Sequence, residues 1–494
     1  MTGMDDARRA FEDHLNAPRG RGALADAPHS GAAGGAPCGD LIRIAVRVED
    51  GQIAEAGFDA SGCGAAQAAG SATVELIESK PLLDAARIGP EQISEALGRL
   101  SPSKMHAATL ASDALHRAIG SAAPNSQLPT PNPGNQRTLV AMSGGVDSAV
   151  AALLAAESGD EVVAVTLELW SDPNGDGSKS CCSPQAVTAA RALAHRMGLP
   201  HITLDLREQF RAQVVDDFVA EHEAGRTPNP CVRCNGLVRF TEMLALADAL
   251  GAARLATGHY ARIERDREGP LLRSAADARK DQAYMLARLA PSELDRLWFP
   301  LAELEKPAVR ELARRAGLPV ADKAESQDLC FLAGIRRADL LDRLRRTPSR
   351  PGELVALDGT VLARHDGLER FTVGQRRGVG VAGGEPLYVV GKDASSGRVT
   401  LGPRDALAVR NVVVSDVVLH RDAATVDRVK LRYRSPAVGC RIRGRPSAGA
   451  YPTIELMLTE PFLAAAPGQV ACLLAGDRVV GHGVIADKEI ANAA

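Results

Sequence analysis

The chain is 494 residues long, 45% hydrophobic and 24% charged, with a formal net charge of −3. That length predicts three or four domains with separate cores, and the composition is that of an ordinary soluble globular protein. No apolar run approaches the roughly 18 residues of a membrane-spanning helix, and the start Met1-Thr-Gly-Met-Asp-Asp6 has neither a basic nor an apolar leader, which argues against export. Nine cysteines, an odd number with two close pairs, suit a reducing, cytoplasmic compartment and catalytic or metal-binding thiols better than a disulfide framework.

Residues 1–120 carry 11 basic and 16 acidic side chains, so the remainder is close to neutral. Within them Ala36-Pro-Cys38-Gly-Asp40, Ser61-Gly-Cys63-Gly64 and Lys104-Met-His106 place two thiols, a carboxylate and an imidazole in three separate segments. Cys38, Asp40, Cys63 and His106 form a ligand set suited to an iron–sulfur cluster or zinc. Residues 121–137 contain four prolines and no apolar periodicity, and read as a semi-extended linker between separate domains. Such a 17-residue tether would let the first domain swing between a sulfur source and the rest of the chain.

From 138 to 345 strand and helix patterns alternate: Thr138–Met142, Ala149–Ala156, Glu161–Leu167, Val187–Met197, His201–Leu206, Gly236–Leu250 and Arg254–Thr257. That alternation predicts an α/β domain with a mostly parallel sheet. Between the first strand and helix stands Ser143-Gly-Gly-Val-Asp-Ser148, a turn at a helix N-terminus. Its glycines allow an anion close to the backbone, and free amides, the helix dipole and two hydroxyls supply donors. No Lys follows the glycines as a Walker A loop requires. The motif instead resembles the pyrophosphate loop of ATP pyrophosphatases.

Thr227-Pro-Asn-Pro-Cys231-Val-Arg-Cys234 sets two thiols three residues apart before a helix, where the dipole favours a thiolate on Cys234. The same pair could be half of a zinc site. Cys330, between Leu329 and Phe331, fits a small buried hydrophobe as well as a reactive thiol. Cys181 and Cys182 are open between redox, metal-binding and inert roles, whereas Cys440 and Cys472 read as core. Residues 346–404 form short glycine-rich β runs, and 405–494 alternate as a small β-barrel or sandwich. Between Arg428 and Arg445 lie seven basic residues and no acidic one, with Arg428, Lys430, Arg432 and Arg434 expected on one strand face. Such a face suits phosphate binding.

The motifs Ser143–Ser148, Gly225-Arg-Thr-Pro-Asn-Pro230, Cys234-Asn235, Ala256-Thr-Gly-His-Tyr260, Lys280-Asp-Gln282, Ser326–Phe331 and Thr372-Val-Gly-Gln-Arg-Arg377 occur in the order found in tRNA-specific 2-thiouridylases, which residues 138–494 resemble. The resemblance implies that Ala141, Met142, Ser143, Gly144, Gly145, Val146, Asp147 and Ser148 hold ATP, with Leu167 and Gly258 near the adenosine and Mg²⁺ on the pyrophosphate. Cys234 would be the first catalytic thiol and Cys330 the persulfide carrier. Asn229, Pro230 and Cys231 would touch the target base, although many members have Asp where Cys231 stands. His259, Lys280, Asp281, Gln282, Arg432, Tyr433 and Gln469 would contact tRNA. The implied reaction activates the C2 oxygen of a wobble uridine with ATP and replaces it by sulfur, supplied by a cysteine desulfurase or sulfur relay protein. Cys231, Cys234 and Cys330 could alternatively ligate a [4Fe–4S] cluster. Residues 1–120 resemble the iron–sulfur cluster assembly scaffolds, but Ala107 stands where that family has its third cysteine.

Overall fold

The computed structural model describes residues 2–24, 26–35, 39–129, 131, 136–172, 183–324, 329–345, 347–381, 385–444 and 452–487. Strands β1 (His29–Gly34), β2 (Leu41–Glu49) and β3 (Gln52–Ser61) form an antiparallel sheet in that order, covered by the helices Gly64–Ile77 and Met105–Ala122. The next unit is the parallel sheet that the alternating pattern predicts. It is built from β4 (Arg137–Ala141), β5 (Glu161–Glu168), β6 (His201–Asp205) and β7 (Arg254–Thr257), with a hairpin of β8 (Arg262–Asp266) and β9 (Gly269–Arg273) preceding the short edge strand β10 (Leu297–Trp298). Its order is β10-β7-β4-β5-β6, so β4 lies between the two strands whose connections leave in opposite directions. Ligands of such sheets bind at the carboxyl end of that switch point.

A four-stranded sheet from Gly352–Val355, Val361–His365, Tyr388–Asp393 and Arg398–Gly402 follows. The last unit is a closed six-stranded barrel: Ala408–Leu419 pairs with both Ile454–Leu463 and Arg478–Ile485, and Val438–Arg443, Arg428–Lys430 and Val470–Ala475 complete the ring. The β8–β9 hairpin continues that sheet, with Arg273 and Leu272 paired to Arg478 and Val479. Main-chain bonds thus tie the barrel to the parallel-sheet unit.

The first unit packs against the parallel-sheet unit, and of the expected linker 121–137 residues 130 and 132–135 lie outside the described residues. The helix Met105–Ala122 is buried on nearly every side, including Ala111, Leu115, His116, Ala118 and Ile119, because one side packs on its own sheet and another on β6. One hydrophobic core runs from Ile42 and Phe58 through Leu115 and Ile119 to Leu139, Val163 and Ile202. The joint is also polar. The His116 ring faces His201 O at 2.9 Å and Ile88 O at 3.0 Å, the His201 amide donates to Ala86 O at 3.0 Å, and Arg117 reaches the buried Glu168 at 3.3 Å. Burial keeps His116 and His201 neutral, well below the ordinary histidine value. Past the helix, the Leu128 amide donates to Ala249 O at 2.8 Å, which anchors the start of the connection.

Contact at Gly120 is closest: a Cβ there would lie 1.7 Å from Thr203 O. Gly120→Ala is therefore expected to cost about 2–3 kcal/mol by overpacking. In calorimetry the first unit of the variant should melt apart from the parallel-sheet unit; an unchanged single transition would contradict the shared core.

Candidate active site

Strand β4 ends at Ala141, and the chain turns through Gly144 at φ +69° into the helix Val146–Glu157, capped at Gly145. Ser148 closes this turn: its Oγ accepts from the Ser143 amide at 3.1 Å, donates to Gly145 O at 3.1 Å and faces Ser143 Oγ at 3.3 Å. Gly258 must be glycine because a Cβ would meet the Ser148 amide nitrogen at 2.7 Å. Thr166 Oγ1 donates to Met142 O at 2.8 Å and is itself held by His201 Nε2 at 2.8 Å, so the loop is tied to the neighbouring strands.

Two groups that motif reading did not single out, Lys306 and Lys323, hold this loop together with Tyr260 of the Ala256–Tyr260 motif. Lys306 Nζ lies 2.6 and 2.7 Å from the two Asp147 oxygens, and the Tyr260 hydroxyl donates to Asp147 Oδ1 at 2.8 Å. Lys323 Nζ donates to Gly144 O at 2.9 Å. Lys306 opens the helix Lys306–Arg315, and Lys323 lies in the turn beyond that helix, both far along the chain from the loop. Their lysine–proline and lysine–alanine settings carry no signal in themselves.

The loop opens into a cavity of about 1260 Å³ between the parallel sheet and the barrel. Ala141, Met142, Ser143, Gly145, Val146, Asp147, Ser148, Leu167 and Gly258 line it, and so do His259, Lys280, Asp281, Gln282 and Tyr433. Gly144, Asn229, Pro230, Cys231, Cys234, Cys330, Arg432 and Gln469 are not on this wall. Several of the residues expected at tRNA are engaged within the fold. Gln282 Oε1 accepts from the Tyr260 amide at 2.9 Å, Asp281 Oδ1 accepts from Ala275 N at 3.1 Å, and Lys430 approaches Asp281 at 3.6 Å. His259 sits between the rings of Phe240 and Phe299 with Nδ1 at 2.8 Å from Thr257 Oγ1, and burial pushes it down to about 3. It is a neutral hydrogen-bonding group.

The expected four-residue basic face is corrected by the backbone. The strand stops at Lys430, and the chain enters a turn around Arg432–Ser435 ahead of Pro436, so Arg432 and Arg434 leave the strand alternation. Arg434 still reaches the cavity, with Arg428, Lys430, Arg239, Arg279, Lys280 and Lys323. Arg432 instead lies over Phe462, 5.8 Å from the ring centre. Arg441 and Arg443 are both exposed on one face of Val438–Arg443, and Arg445 is outside the described residues.

Asn229 caps the helix Pro230–Cys234, accepting from Cys231 N at 3.1 Å and Val232 N at 3.2 Å. This helix runs on through a π-helical stretch to Ala249, which puts Cys231, half-buried, in the first turn and Cys234, buried, a turn later. Gln469 Nε2 donates to Thr227 O at 2.6 Å, and Thr227 N donates to Pro467 O at 2.8 Å, so the barrel clamps the loop before the two thiols. Cys330 is half-buried in a turn from Leu329, and its neighbour Phe331 packs on Phe210 and Phe218 at ring distances of 6.0 and 5.2 Å. Cys440 and Cys472 are buried in the barrel, where burial pushes both thiols up to about 12, as core thiols should be. Cys181, Cys182 and Ser326–Asp328 lie outside the described residues.

In the first unit, Asp40, Cys63 and His106 bring one ligand atom each to within 4.8 Å of one another. His106 Nε2 is 2.9 Å and Cys63 Sγ 3.2 Å from Asp40 Oδ2. The Cys63 amide, donating to Asp40 Oδ1 at 2.7 Å, holds the Asp40 carboxyl below its ordinary value. His106 Nδ1 is 3.0 Å from Ser103 O, a bond that turns Nε2 toward the cluster. Cys38 is outside the described residues, and Ala107 is fully buried in the core. Among the described residues this is the single group of three such donors at that spacing.

Comparison with known families agrees unit by unit. Residues 8–124 match the NifU-like N-terminal domain, 136–334 the tRNA methyl transferase HUP domain, 342–403 the tRNA methyl transferase PRC-barrel domain, and 409–485 the aminomethyltransferase beta-barrel domain. Fold and loop therefore define an ATP-using enzyme of the HUP class joined to a NifU-like domain. A bifunctional protein NifU/MnmA of Rubrobacter xylanophilus is 45% identical over 490 residues, 97% of this chain and 98% of its own. The tRNA-specific 2-thiouridylase MnmA of Rhodospirillum centenum is 46% identical over 369 residues, 72% of this chain and 93% of its own; that of Geobacter metallireducens is 43% identical over 360 residues, 71% and 96%. The chain belongs to the bifunctional NifU/MnmA family of tRNA 2-thiouridylases.

Proposed function

We propose that this chain is a cytoplasmic tRNA-uridine 2-sulfurtransferase that adenylates the C2 oxygen of a wobble uridine and replaces it with sulfur from a Cys330 persulfide. The observation that carries the reading is the Ser143–Ser148 loop at the mouth of a cavity with seven cations on its wall, Arg239, Arg279, Lys280, Lys323, Arg428, Lys430 and Arg434. A uracil carbonyl is a poor electrophile, so its oxygen must first become a leaving group. The loop amides, Ser143, Ser148 and Lys323 surround the place where pyrophosphate charge develops. Asp147 is the one carboxylate of the loop, and it would meet Mg²⁺ by exchanging its present contacts to Lys306 and Tyr260, with the other ligands coming from phosphate and water. Bound there, the ion supplies charge neutralisation for the departing pyrophosphate. The barrel cations suit the tRNA backbone, and the clamped Thr227–Pro230 segment fixes Asn229, Pro230 and Cys231 at the target base.

Sulfur transfer divides between two thiols. In the direct route the terminal sulfur of the Cys330 persulfide bonds to C2, AMP leaves, and the Cys234 thiolate then attacks Cys330 Sγ, which breaks the S–S bond and releases 2-thiouridine. In the other route Cys234 attacks Cys330 Sγ first and the sulfide set free displaces AMP; both end in a Cys234–Cys330 disulfide that a cellular dithiol must reduce. Mass spectrometry of tRNA nucleosides from a deletion strain tests the function: 2-thiouridine should vanish and return with the gene, and undiminished 2-thiouridine would refute it.

Asp40, Cys63 and His106 are proposed as the ligands of the first unit, with Cys38 as the fourth. One thiolate among the three described donors suits zinc better than a [2Fe–2S] cluster. Full-length protein should bind about one zinc per chain, and His106→Ala should lower that affinity about 10- to 100-fold in competition with a chelator. Equal zinc retention by the variant would reject the set.

A further inference from the structure

The first unit's thiol and the carrier thiol lie off opposite ends of the parallel sheet. The helix Met105–Ala122 runs beside β6 in the same direction: His116 meets His201 O, and Gly120, four residues on, meets Thr203 O. Four helical residues rise about 6 Å and two strand residues about 6.6 Å, so the two axes are nearly parallel. His106 therefore sits about 15 Å before His116, beyond the start of β6. Cys63 and Asp40 share that end with it. Cys330 lies past the other end. Phe331 packs on Phe210 and Phe218, which belong to the helical segments following β6, and Phe210 also meets Trp170 just after β5. Adding the length of β6, about 13 Å, separates the two thiols by roughly 25–30 Å along the strand direction.

No swing closes that gap, because the first unit shares its core and its buried His116 contacts with β6. Cys63 is exposed, open to an approaching molecule. We infer that sulfur carried on Cys63 passes to Cys330 of a second copy of this chain, and not to Cys330 of its own. This rests on the Cys330-persulfide reading above, and it takes Cys63 in the zinc-free first unit, because the same thiol is the proposed zinc ligand. The step is an exchange without net oxidation: the Cys330 thiolate attacks the terminal sulfur of a Cys63 persulfide, a new S–S bond forms at Cys330, the Cys63–sulfur bond breaks, and Cys63 departs as thiolate, which takes up the proton. A cysteine desulfurase supplies the original persulfide.

The test uses full-length Cys63→Ser and Cys330→Ser chains, alone and mixed, with desulfurase and cysteine limiting and 2-thiouridine as readout. Each variant alone should be slow, and the mixture should regain at least a quarter of the wild-type rate, rising as Cys330→Ser protein is added. A mixture no faster than Cys63→Ser alone would overturn the inference in favour of transfer within one chain. Cys63→Ser as fast as wild type would overturn it by showing that the first unit does not feed the core, while leaving the proposed function intact. That function fails separately if Cys330→Ser thiolates tRNA normally when a persulfide donor is given directly.

Discussion

Cys330→Ser should reduce thiolation by about 10³-fold or more, since a hydroxyl cannot carry sulfane sulfur, and Cys234→Ser should do the same. Neither change touches the Ser143–Ser148 loop, and neither thiol is on the wall of the ATP cavity. Adenylation should therefore survive: with tRNA and ATP, both variants should release pyrophosphate in a burst matching the tRNA present, then stall. The expected pattern is pyrophosphate without 2-thiouridine. The half-buried turn of Cys330 and the buried helix position of Cys234 suit this division, one thiol loaded from outside and the other sheltered from it. Normal 2-thiouridine from Cys330→Ser would remove the persulfide assignment, and absence of the burst would place these thiols in the ATP step.

The chemistry of the loop was legible in the sequence because it is local. Two glycines, two hydroxyls and the helix start are contiguous, and alternating strands and helices fix where such a turn must lie. The barrel and the buried state of Cys440 and Cys472 were legible for the same reason, through alternation. Lys306 and Lys323 were not, because they meet Asp147 and Gly144 only after the sheet folds, across 159 and 179 residues. The docking of the first unit was obscured by a proline-rich connection that suggested independence. Its signal was in the helix Met105–Ala122, where small residues recur on every face with Gly120 inside, the pattern of a helix buried between two partners. The basic face was misjudged because period-two spacing continued through Arg432 and Arg434 after the strand had turned ahead of Pro436.

Lys306→Met should be the most damaging change outside the motifs. The Lys306 side chain is only 10% exposed and that of Asp147 32%, and the ammonium contacts both carboxylate oxygens. Removing it leaves Asp147 with the Tyr260 hydroxyl, an incomplete answer to a carboxylate in a partly buried site. A fully buried broken pair costs about 3–5 kcal/mol; with a third of Asp147 in water the cost should be nearer 2 kcal/mol. Adenylation should fall about 100-fold, because Asp147 loses the ammonium that pins it and the loop loses its fixed shape around the developing pyrophosphate. The double variant Asp147→Asn, Lys306→Met separates the two effects. Neutral partners of similar shape should return most of the stability in denaturant unfolding, since no charge is left uncompensated. Pyrophosphate release should stay low, because both the carboxylate offered to Mg²⁺ and the lysine are gone. If activity returned with stability, the pair would be a structural strut. If the single Lys306→Met enzyme kept the wild-type rate and ATP dependence, Lys306 would have no part in holding the loop for catalysis.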